Sequence, residues 1–284
     1  LPTAEGEHNQ LAADVQYWGE WVLERARQEI GHLYENPEGE ATIVGYLWAR
    51  TVKCPNPNCH AEMPLVRQWW LAKRKGRRIV LKPDIDEEAK QVSFNVIDFQ
   101  NGDVGDFDPS DGTVSRGHGT CIVCGQTEDV KYVRKEGRAG QMGEMPLVVI
   151  TDKEGRGKAY RPFTDEDAIL FQEAKEMITE FESELPNESI PLMSGTFNVP
   201  LYGLTRWRDL FNSRQLLALF TFSRKVQVAY DAMINSGMNE DNAKAVATYL
   251  GVAVDRLADR HSTICRWDNT GESIMNTFAR QALP

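Results

Sequence analysis

Apolar residues recur at helical spacing in the first part of the chain. They are Leu11, Val15, Trp18, Val22, Ala26 and Ile30. Positions three and four residues apart lie on one face of an α-helix, so this pattern predicts a long amphipathic helix. Gly31 follows soon after the basic residues Arg25 and Arg27, and we expect the helix to end there.

The pattern changes between about residue 42 and residue 161. Short runs rich in β-branched and aromatic residues alternate there with glycine, proline, asparagine and aspartate, as strands alternate with turns. The clearest runs are 42–47, 92–96 and 147–150. We therefore expect this region to consist mostly of strands and loops.

Helical spacing returns after residue 163. Thr164 with Asp167 resembles a capping box, and Ser213 and Asn239 are expected to cap two later helices. The predicted buried face of the helix after Ser213 is Leu216, Leu219, Phe220, Val226, Tyr230 and Met233. That of the helix after Asn239 is Ala243, Val246, Ala247, Leu250, Val254 and Leu257.

This order of elements predicts an α+β fold in which helical flanks surround a β-rich, zinc-ribbon-like insert. We expect an N-terminal amphipathic helix in 1–40 that packs on the C-terminal helices. The insert then covers 41–162, and a helical region covers 163–284.

The net charge and the hydropathy of the chain limit the classes of function that it can have. The chain of 284 residues carries 32 Lys and Arg against 42 Asp and Glu, a net charge of −10. Nucleic-acid binding must therefore come from a local basic cluster. No stretch approaches the roughly 18 consecutive apolar residues that a membrane helix needs. Without a signal peptide, we expect a cytoplasmic protein with no membrane partner.

The cysteines predict a metal site. Cys54 and Cys59 form a C-x4-C pair, Cys121 and Cys124 form a C-x2-C pair, and Cys265 stands alone. Two close pairs in a chain without a signal peptide favour metal ligation over disulfides. Four thiolates complete the tetrahedral shell of zinc and leave no open position for water. We therefore predict a structural zinc ion on the two pairs. Buried reduced cysteines are the alternative interpretation.

The same region also fits a more specific alternative, the metal site of a zinc nucleobase deaminase. His60 and Glu62 match the H-x-E motif of those enzymes, with Cys121 and Cys124 as its C-x-x-C half. Three features argue against it. Thr120 rather than proline precedes Cys121, Pro64 disfavours a helix through the motif, and Cys54 and Cys59 would be left without a role.

A basic, aromatic stretch predicts contact with nucleic acid. Seven basic residues and no acidic ones lie between Met63 and Pro83, with two adjacent tryptophans among them. Basic side chains neutralise phosphates, and exposed aromatic rings stack on unpaired bases. The candidate DNA-contacting residues are Arg67, Trp69, Lys73, Arg74, Lys75, Arg77 and Arg78. In the alternative interpretation the tryptophans pack inward and the acidic residues at 84–88 pair with the basic stretch.

Several strings resemble one protein family, the adenine-specific DNA methylases that contain a zinc ribbon. The strings are YWGEW at 17–21, YLWARTVKCP at 46–55, GTVSRG at 112–117, YGLTRW at 202–207, RLADR at 256–260 and NTFARQALP at 276–284. The resemblance thus runs over nearly the whole chain. It implies methyl transfer from S-adenosylmethionine to the amino group of adenine in DNA.

The residues that perform that chemistry in the family have no counterpart here. Neither its Asp-Pro-Phe-x-Gly-x-Gly cofactor loop nor its Asp-Pro-Pro-Tyr catalytic motif occurs in the sequence. The resemblance implies that the loop precedes this segment and the motif follows it. We therefore expect a central segment that supplies a zinc-stabilised insert for DNA binding or target recognition. Alone it should be inactive and bind no S-adenosylmethionine.

The expected partners are DNA, the rest of the methylase polypeptide and other proteins of a phage-defence system. The chief alternative function is a structural or protein-binding zinc module in a DNA-modification or defence system. In that case the basic stretch faces an acidic protein.

Overall fold

A computed structural model describes residues 9–99, 105–155, 157–192 and 197–277 and shows an α+β structure. The α-helices of these residues are α1 (Gln10–Ile30), α2 (Val130–Arg138), α3 (Asp165–Thr179), α4 (Ser213–Asn235) and α5 (Glu240–Ala258). The strands are β1 (Ile43–Lys53), β2 (Glu62–Leu65), β3 (Trp70–Arg74), β4 (Arg77–Asp86), β5 (Gln91–Asp98), β6 (Val114–Ser115), β7 (His118–Thr120), β8 (Thr127–Glu128), β9 (Gly143–Thr151), β10 (Ala159–Arg161), β11 (Trp267–Asp268) and β12 (Ser273–Ile274). Most of the string 276–284 lies outside the described residues.

Most predicted helix ends are confirmed. The helix α1 ends at Ile30, and the Asn239 side chain caps α5 by accepting the Asp241 and Asn242 N–H groups. Thr164 and Asp167 exchange hydrogen bonds at the start of α3. The cap of α4 is Asn212 rather than Ser213, because the Asn212 side chain accepts the Gln215 N–H and Gln215 bonds back to Asn212.

Two helical features differ from the sequence-based expectation. The helix α2, capped by Asp129, lies in the region expected to consist mostly of strands and loops, where no helix was predicted. The predicted face of α4 does pack on the core, with Leu216, Phe220, Val226 and Tyr230 partly buried and Met233 fully buried, but other positions complete the set of most buried residues. That set is Arg214, Leu217, Ala218, Thr221, Ala229 and Met233. A prediction from hydropathy selects the large apolar residues of a helix as its buried positions. Small residues are also buried, because they allow the closest approach of neighbouring helices.

The chain divides into two compact units. The first takes in the described residues of Leu1–Glu35, Ile169–Pro186 and Phe211–Ser262. Trp18 and Val22 of α1 pack there with Ala229 of α4 and Val246 of α5. A second cluster joins the end of α1 to α3 and α4. Among the described helices, none is long and apolar enough to cross a bilayer.

The second unit contains the strands and takes in the described residues of Asn36–Ala168, Asn187–Leu210 and Thr263–Pro284. Residues 187–210 and 263–277 therefore group with the β-rich region. All strand pairs are antiparallel. The larger sheet has the order β10-β9-β1-β2, and the smaller sheets are β3-β4-β5, β6-β7-β8 and β11-β12. The strands predicted at 42–47, 92–96 and 147–150 are confirmed within β1, β5 and β9.

Candidate metal centre and basic hairpin

Two backbone turns present the four paired cysteines. Cys54 follows β1, and its N–H donates to the Ala61 carbonyl, which closes the turn that contains Cys59. Cys121 follows β7, and its N–H donates to the Gln126 carbonyl across the turn that contains Cys124. Gly125 adopts a φ of +75°, a left-handed conformation that glycine adopts without strain. Each pair of cysteines therefore lies on its own tight turn.

The two turns bring the four sulfur atoms together. All four Sγ atoms lie within 4.8 Å of one another. The Sγ atoms of Cys54 and Cys124 are 3.6 Å apart, and those of Cys59 and Cys121 are 3.8 Å apart. Ligands about 2.3 Å from a tetrahedral ion lie about 3.8 Å from one another, so this spacing suits a metal-bound quartet. The predicted residues thus form a cluster that can hold a metal ion.

The four thiols differ in their exposure to solvent. Cys54, Cys59 and Cys121 are buried, whereas Cys124 is exposed. Burial raises the pKa of the Cys54 and Cys121 thiols. A hydrogen bond from the Gln126 backbone lowers the pKa of Cys124 to about 7. A metal ion must displace protons from the buried thiols, which couples its affinity to pH.

The histidines near these cysteines do not join the cluster. Within the part of the chain that the structure describes, the cluster contains the four cysteines and no histidine. His60 lies exposed in the loop before β2, and Glu62 is the first residue of that strand. The H-x-E motif therefore lies off a helix, while Cys54 and Cys59 have a role. This arrangement gives the deaminase interpretation no support.

The tryptophans of the basic stretch are core residues. Trp69 is 3% exposed and packs against Phe94, with its indole N–H donating to the Asp111 carbonyl. Trp70 is also buried and donates to the Ser110 hydroxyl. The expectation that Trp69 stacks on a base is therefore wrong. Its apolar area completes the core beneath β3 and β4, which stabilises the fold more than exposure would.

Arg74 and Arg77 are bound to a buried acid that sequence analysis missed. Both guanidinium groups contact the Glu272 carboxylate, at 2.9 and 2.8 Å, and the Glu272 side chain is 1% exposed. The Lys158 N–H and the Tyr160 hydroxyl also donate to it. Burial alone would raise the pKa of Glu272, but these hydrogen bonds hold it below its usual value. Arg74 and Arg77 are thus structural residues.

The remaining basic candidates are exposed. They are Arg67, Lys73, Lys75 and Arg78. Lys73 and Arg78 face each other across β3 and β4, and the turn between these strands is Lys75–Gly76. None of these basic residues has an ion pair with an acidic side chain in the described parts of the sequence. The pairing with the acidic residues at 84–88 that the alternative interpretation suggested is therefore absent from the described residues, and Glu272 takes that role for the two structural arginines.

No protein-family model, curated protein or solved structure matches the chain.

Proposed function

We propose that this chain is the central segment of an S-adenosylmethionine-dependent, adenine-specific DNA methylase of the zinc-ribbon type. In this proposal it supplies a zinc-stabilised surface that contacts DNA, while the cofactor loop and catalytic motif lie elsewhere in the polypeptide. The strings at 17–21, 46–55, 112–117, 202–207 and 256–260 support the family. The metal cluster and the charge of the β3–β4 hairpin support the DNA-contacting role.

The metal of this proposal is zinc, and its role is structural. Four thiolates are the soft donor set that tetrahedral zinc prefers, and they fill every coordination position. Cys54 and Cys59 come from one turn, and Cys121 and Cys124 come from another that lies far along the sequence. When bound, zinc ties these two turns together. The chain's own contribution is the pair of preformed turns that place the sulfur atoms.

The observation that carries the DNA-contacting role is the pairing of like charges on the β3–β4 hairpin. Lys73 lies directly opposite Arg78, just as Arg74 lies opposite Arg77. Like charges in such positions destabilise a sheet. The second pair shares the buried Glu272, but the first pair has no acidic partner in the structure as described. DNA phosphates would neutralise the first pair, and Lys75 at the turn would add a third contact.

Anisotropy of labelled DNA across a salt series tests this role. The variant removes three charges, Lys73→Ala, Lys75→Ala and Arg78→Ala. A matched control removes three exposed charges from α2, namely Lys131→Ala, Lys135→Ala and Arg138→Ala. Each lost phosphate contact lowers the salt slope by about 0.9 for duplex DNA, so we expect a loss of about 2.7 for the hairpin variant alone. Equal slopes in the hairpin variant and the wild type would refute the role.

A methyl-transfer assay tests the segment hypothesis. With labelled S-adenosylmethionine and adenine-containing duplex, we expect no turnover by this chain alone. Turnover would overturn the hypothesis, because it requires a cofactor site that the sequence motifs do not supply.

A structural or protein-binding zinc module is the second candidate function. The burial of Trp69 and Trp70 favours it, as does the use of Arg74 and Arg77 to bind Glu272. In that case the exposed charges of the β3–β4 hairpin face an acidic protein of a modification or defence system. Failure of both duplex and single-stranded DNA to bind at low salt would favour this candidate over the first.

A further inference from the structure

A cleft of about 740 Å³ lies in the second unit, and its lining residues Leu65, Val133 and Tyr202 also pack in the apolar cluster that contains three of the cysteines. Its walls come from β1, the segment after β2, the β6–β7 hairpin, the start of α2 and Tyr202. This volume lies within the usual range for sites that bind small molecules or nucleotides, about 300–1,000 Å³. The lining side chains that matter here are Trp48, Arg50, Arg67, Ser115, Arg116 and Tyr202.

The charge of the cleft favours an anion. Three arginines line it, and Asp111 is the single acidic residue among the described lining residues. Arg50 is held in place, because it donates to Glu144 at 2.8 Å and to the Thr263 hydroxyl at 2.6 Å. Arg67 and Arg116 have no ion pair or side-chain hydrogen bond to any described residue. Two exposed guanidinium groups that line one cleft can both donate charge-assisted hydrogen bonds to a phosphate.

Aromatic side chains lie in the same cleft. Trp48 on β1 is half-buried and makes an edge contact with Phe163, with ring centroids 5.5 Å apart. Tyr202 is half-buried beneath the Arg134 guanidinium, which lies 5.3 Å from its ring centroid. Half-buried aromatic rings provide flat surfaces for a base or sugar, and they bind different bases with little selectivity. The cleft thus combines the two chemistries that recognise a nucleotide.

The backbone segments that carry Arg67 and Arg116 pack closely against each other. A Cβ atom on Gly112 would lie 2.2 Å from the Val66 carbonyl oxygen, so glycine is required for this approach. The Thr113 hydroxyl accepts the Val66 N–H at 2.8 Å and donates to the Pro64 carbonyl. These bonds join the segment that carries Arg67 to the β6–β7 hairpin that carries Arg116. The backbone segments that carry the two arginines are therefore held next to each other.

Arg116 also adopts a strained conformation. Its φ is +51°, and it forms the two-residue turn of the hairpin with Gly117 at +85°. Asparagine or glycine is favoured at such a position, because a longer side chain costs free energy in the left-handed region. The hairpin leads directly into Cys121, so the metal cluster holds the strand that presents this arginine.

We propose that this cleft binds a nucleoside phosphate, with Arg67 and Arg116 on the phosphate and Trp48 and Tyr202 against the base and sugar. The proposal rests on the proposed function in one respect, that the nucleotide belongs to an unpaired DNA strand. A free nucleotide offers the same chemistry, and the experiment separates these two sources.

Isothermal titration of the zinc-loaded chain tests the cleft. The probes are a single-stranded DNA pentanucleotide and free dAMP. The variants are Arg67→Gln with Arg116→Gln, a matched control Arg138→Gln, and the triple alanine variant of the β3–β4 hairpin. Zinc content and circular dichroism establish that each variant is folded. We expect the double variant to lose about tenfold or more in pentanucleotide affinity, because a charge-assisted hydrogen bond contributes about that much.

The outcomes separate the cleft from the β3–β4 hairpin. Lost affinity in the double variant, with the control unchanged, supports the cleft whichever probe binds. Displacement of the pentanucleotide by stoichiometric dAMP identifies a free nucleotide as the ligand, and failure of dAMP to displace it identifies a strand. Unchanged affinity in the double variant, or no binding of either probe to the wild type, overturns the proposal that the cleft binds a nucleoside phosphate. If the double variant keeps its pentanucleotide affinity while the hairpin variant still weakens duplex binding, the cleft proposal fails and the proposed function stands.

Photo-crosslinking provides a readout that a purely structural role for the arginines would not change. A pentanucleotide that carries 5-iodo-deoxyuridine should crosslink to Trp48 or Tyr202 in the wild type, and the crosslink should fall with the double variant. Crosslinks confined to the β3–β4 hairpin would contradict the placement of the base in the cleft.

Discussion

The β3–β4 and β6–β7 hairpins both turn at a basic residue followed by glycine, yet their charges serve different ends. In the first, Arg74 and Arg77 flank the turn and bind the buried Glu272. In the second, Arg116 occupies the turn itself, has no ion pair among the described residues, and lines a cleft. The basic residues of a hairpin are therefore available for a ligand only where no buried acid binds them, which holds for Arg116 and, on the first hairpin, for Lys73, Lys75 and Arg78 but not for Arg74 and Arg77. The two hairpins also have different supports, because an acid holds the first and the cysteine cluster holds the second.

Among the substitutions considered, removal of a metal ligand should lower the stability of the protein most, and the loss should be concentrated in the second hairpin. Metal binding to a four-thiolate site contributes on the order of 10 kcal/mol to folding. We expect Cys121→Ser to lose most of the bound zinc and several kcal/mol of stability. Amide exchange should rise at Thr120 of the second hairpin, whose N–H donates to the Thr113 carbonyl, while Lys73 of the first hairpin, whose N–H donates to the Asn269 carbonyl, stays protected. Metal analysis and hydrogen exchange measure both effects.

Cys265→Ser is the matched control, since Cys265 lies outside the cluster. It should keep its zinc. Equal loss of protection at Lys73 and Thr120 in Cys121→Ser would show that the two hairpins share one support.

Replacement of the buried acid should affect the first hairpin in the same way. Glu272→Ala removes the buried anion that binds both guanidinium groups, and it leaves Arg77 and the Tyr160 hydroxyl with the Lys158 and Leu71 carbonyls as acceptors. Breaking a buried ion pair on one side costs about 3 kcal/mol. We expect a loss of that size in urea unfolding, with zinc content unchanged. The control Glu87→Ala, an exposed residue of the β4–β5 turn, should change stability little. A loss below about 1 kcal/mol would show that solvent replaces Glu272 at the arginines.

Sequence reasoning found the metal cluster because its signal is local. The spacing within each cysteine pair specifies a tight turn, and four thiolates need one another only through the metal. It could not find Glu272, whose partner Arg77 lies 195 positions away and whose neighbours in sequence carry no distinctive pattern. Nor could it decide that Trp69 is buried, since tryptophan suits both a core and a stacking surface.

The acid dependence of stability should distinguish the two supports. The pKa of Glu272 lies below its ordinary value of 4.5 in the folded chain. Its stabilising effect is therefore complete above that value and is lost as the pH falls through the folded pKa. We expect the stability difference between the wild type and Glu272→Gln to stay constant between about pH 5 and 7 and to shrink below about pH 4.5. Zinc release affects both proteins alike, so it cancels in the difference, which urea unfolding measures. A difference that grows in acid would contradict this assignment.

The smallest expected effect concerns the turn of the β6–β7 hairpin and separates its stability from its function. Arg116→Asn replaces a strained left-handed arginine by the residue that such turns favour, so we expect a gain of about 0.5 kcal/mol in the free energy of unfolding. The same variant removes one guanidinium from the cleft, so its affinity for the pentanucleotide should fall. Lys75→Asn is the control in the other hairpin, because Lys75 is not among the left-handed residues and should gain no stability. Unfolding in urea and the titration above give both quantities for both variants. If Arg116→Asn is more stable and binds the pentanucleotide as well as the wild type does, ligand binding does not explain the strained conformation of Arg116. A variant that is more stable but binds more weakly would show that this conformation lowers the stability of the hairpin and places the arginine for binding.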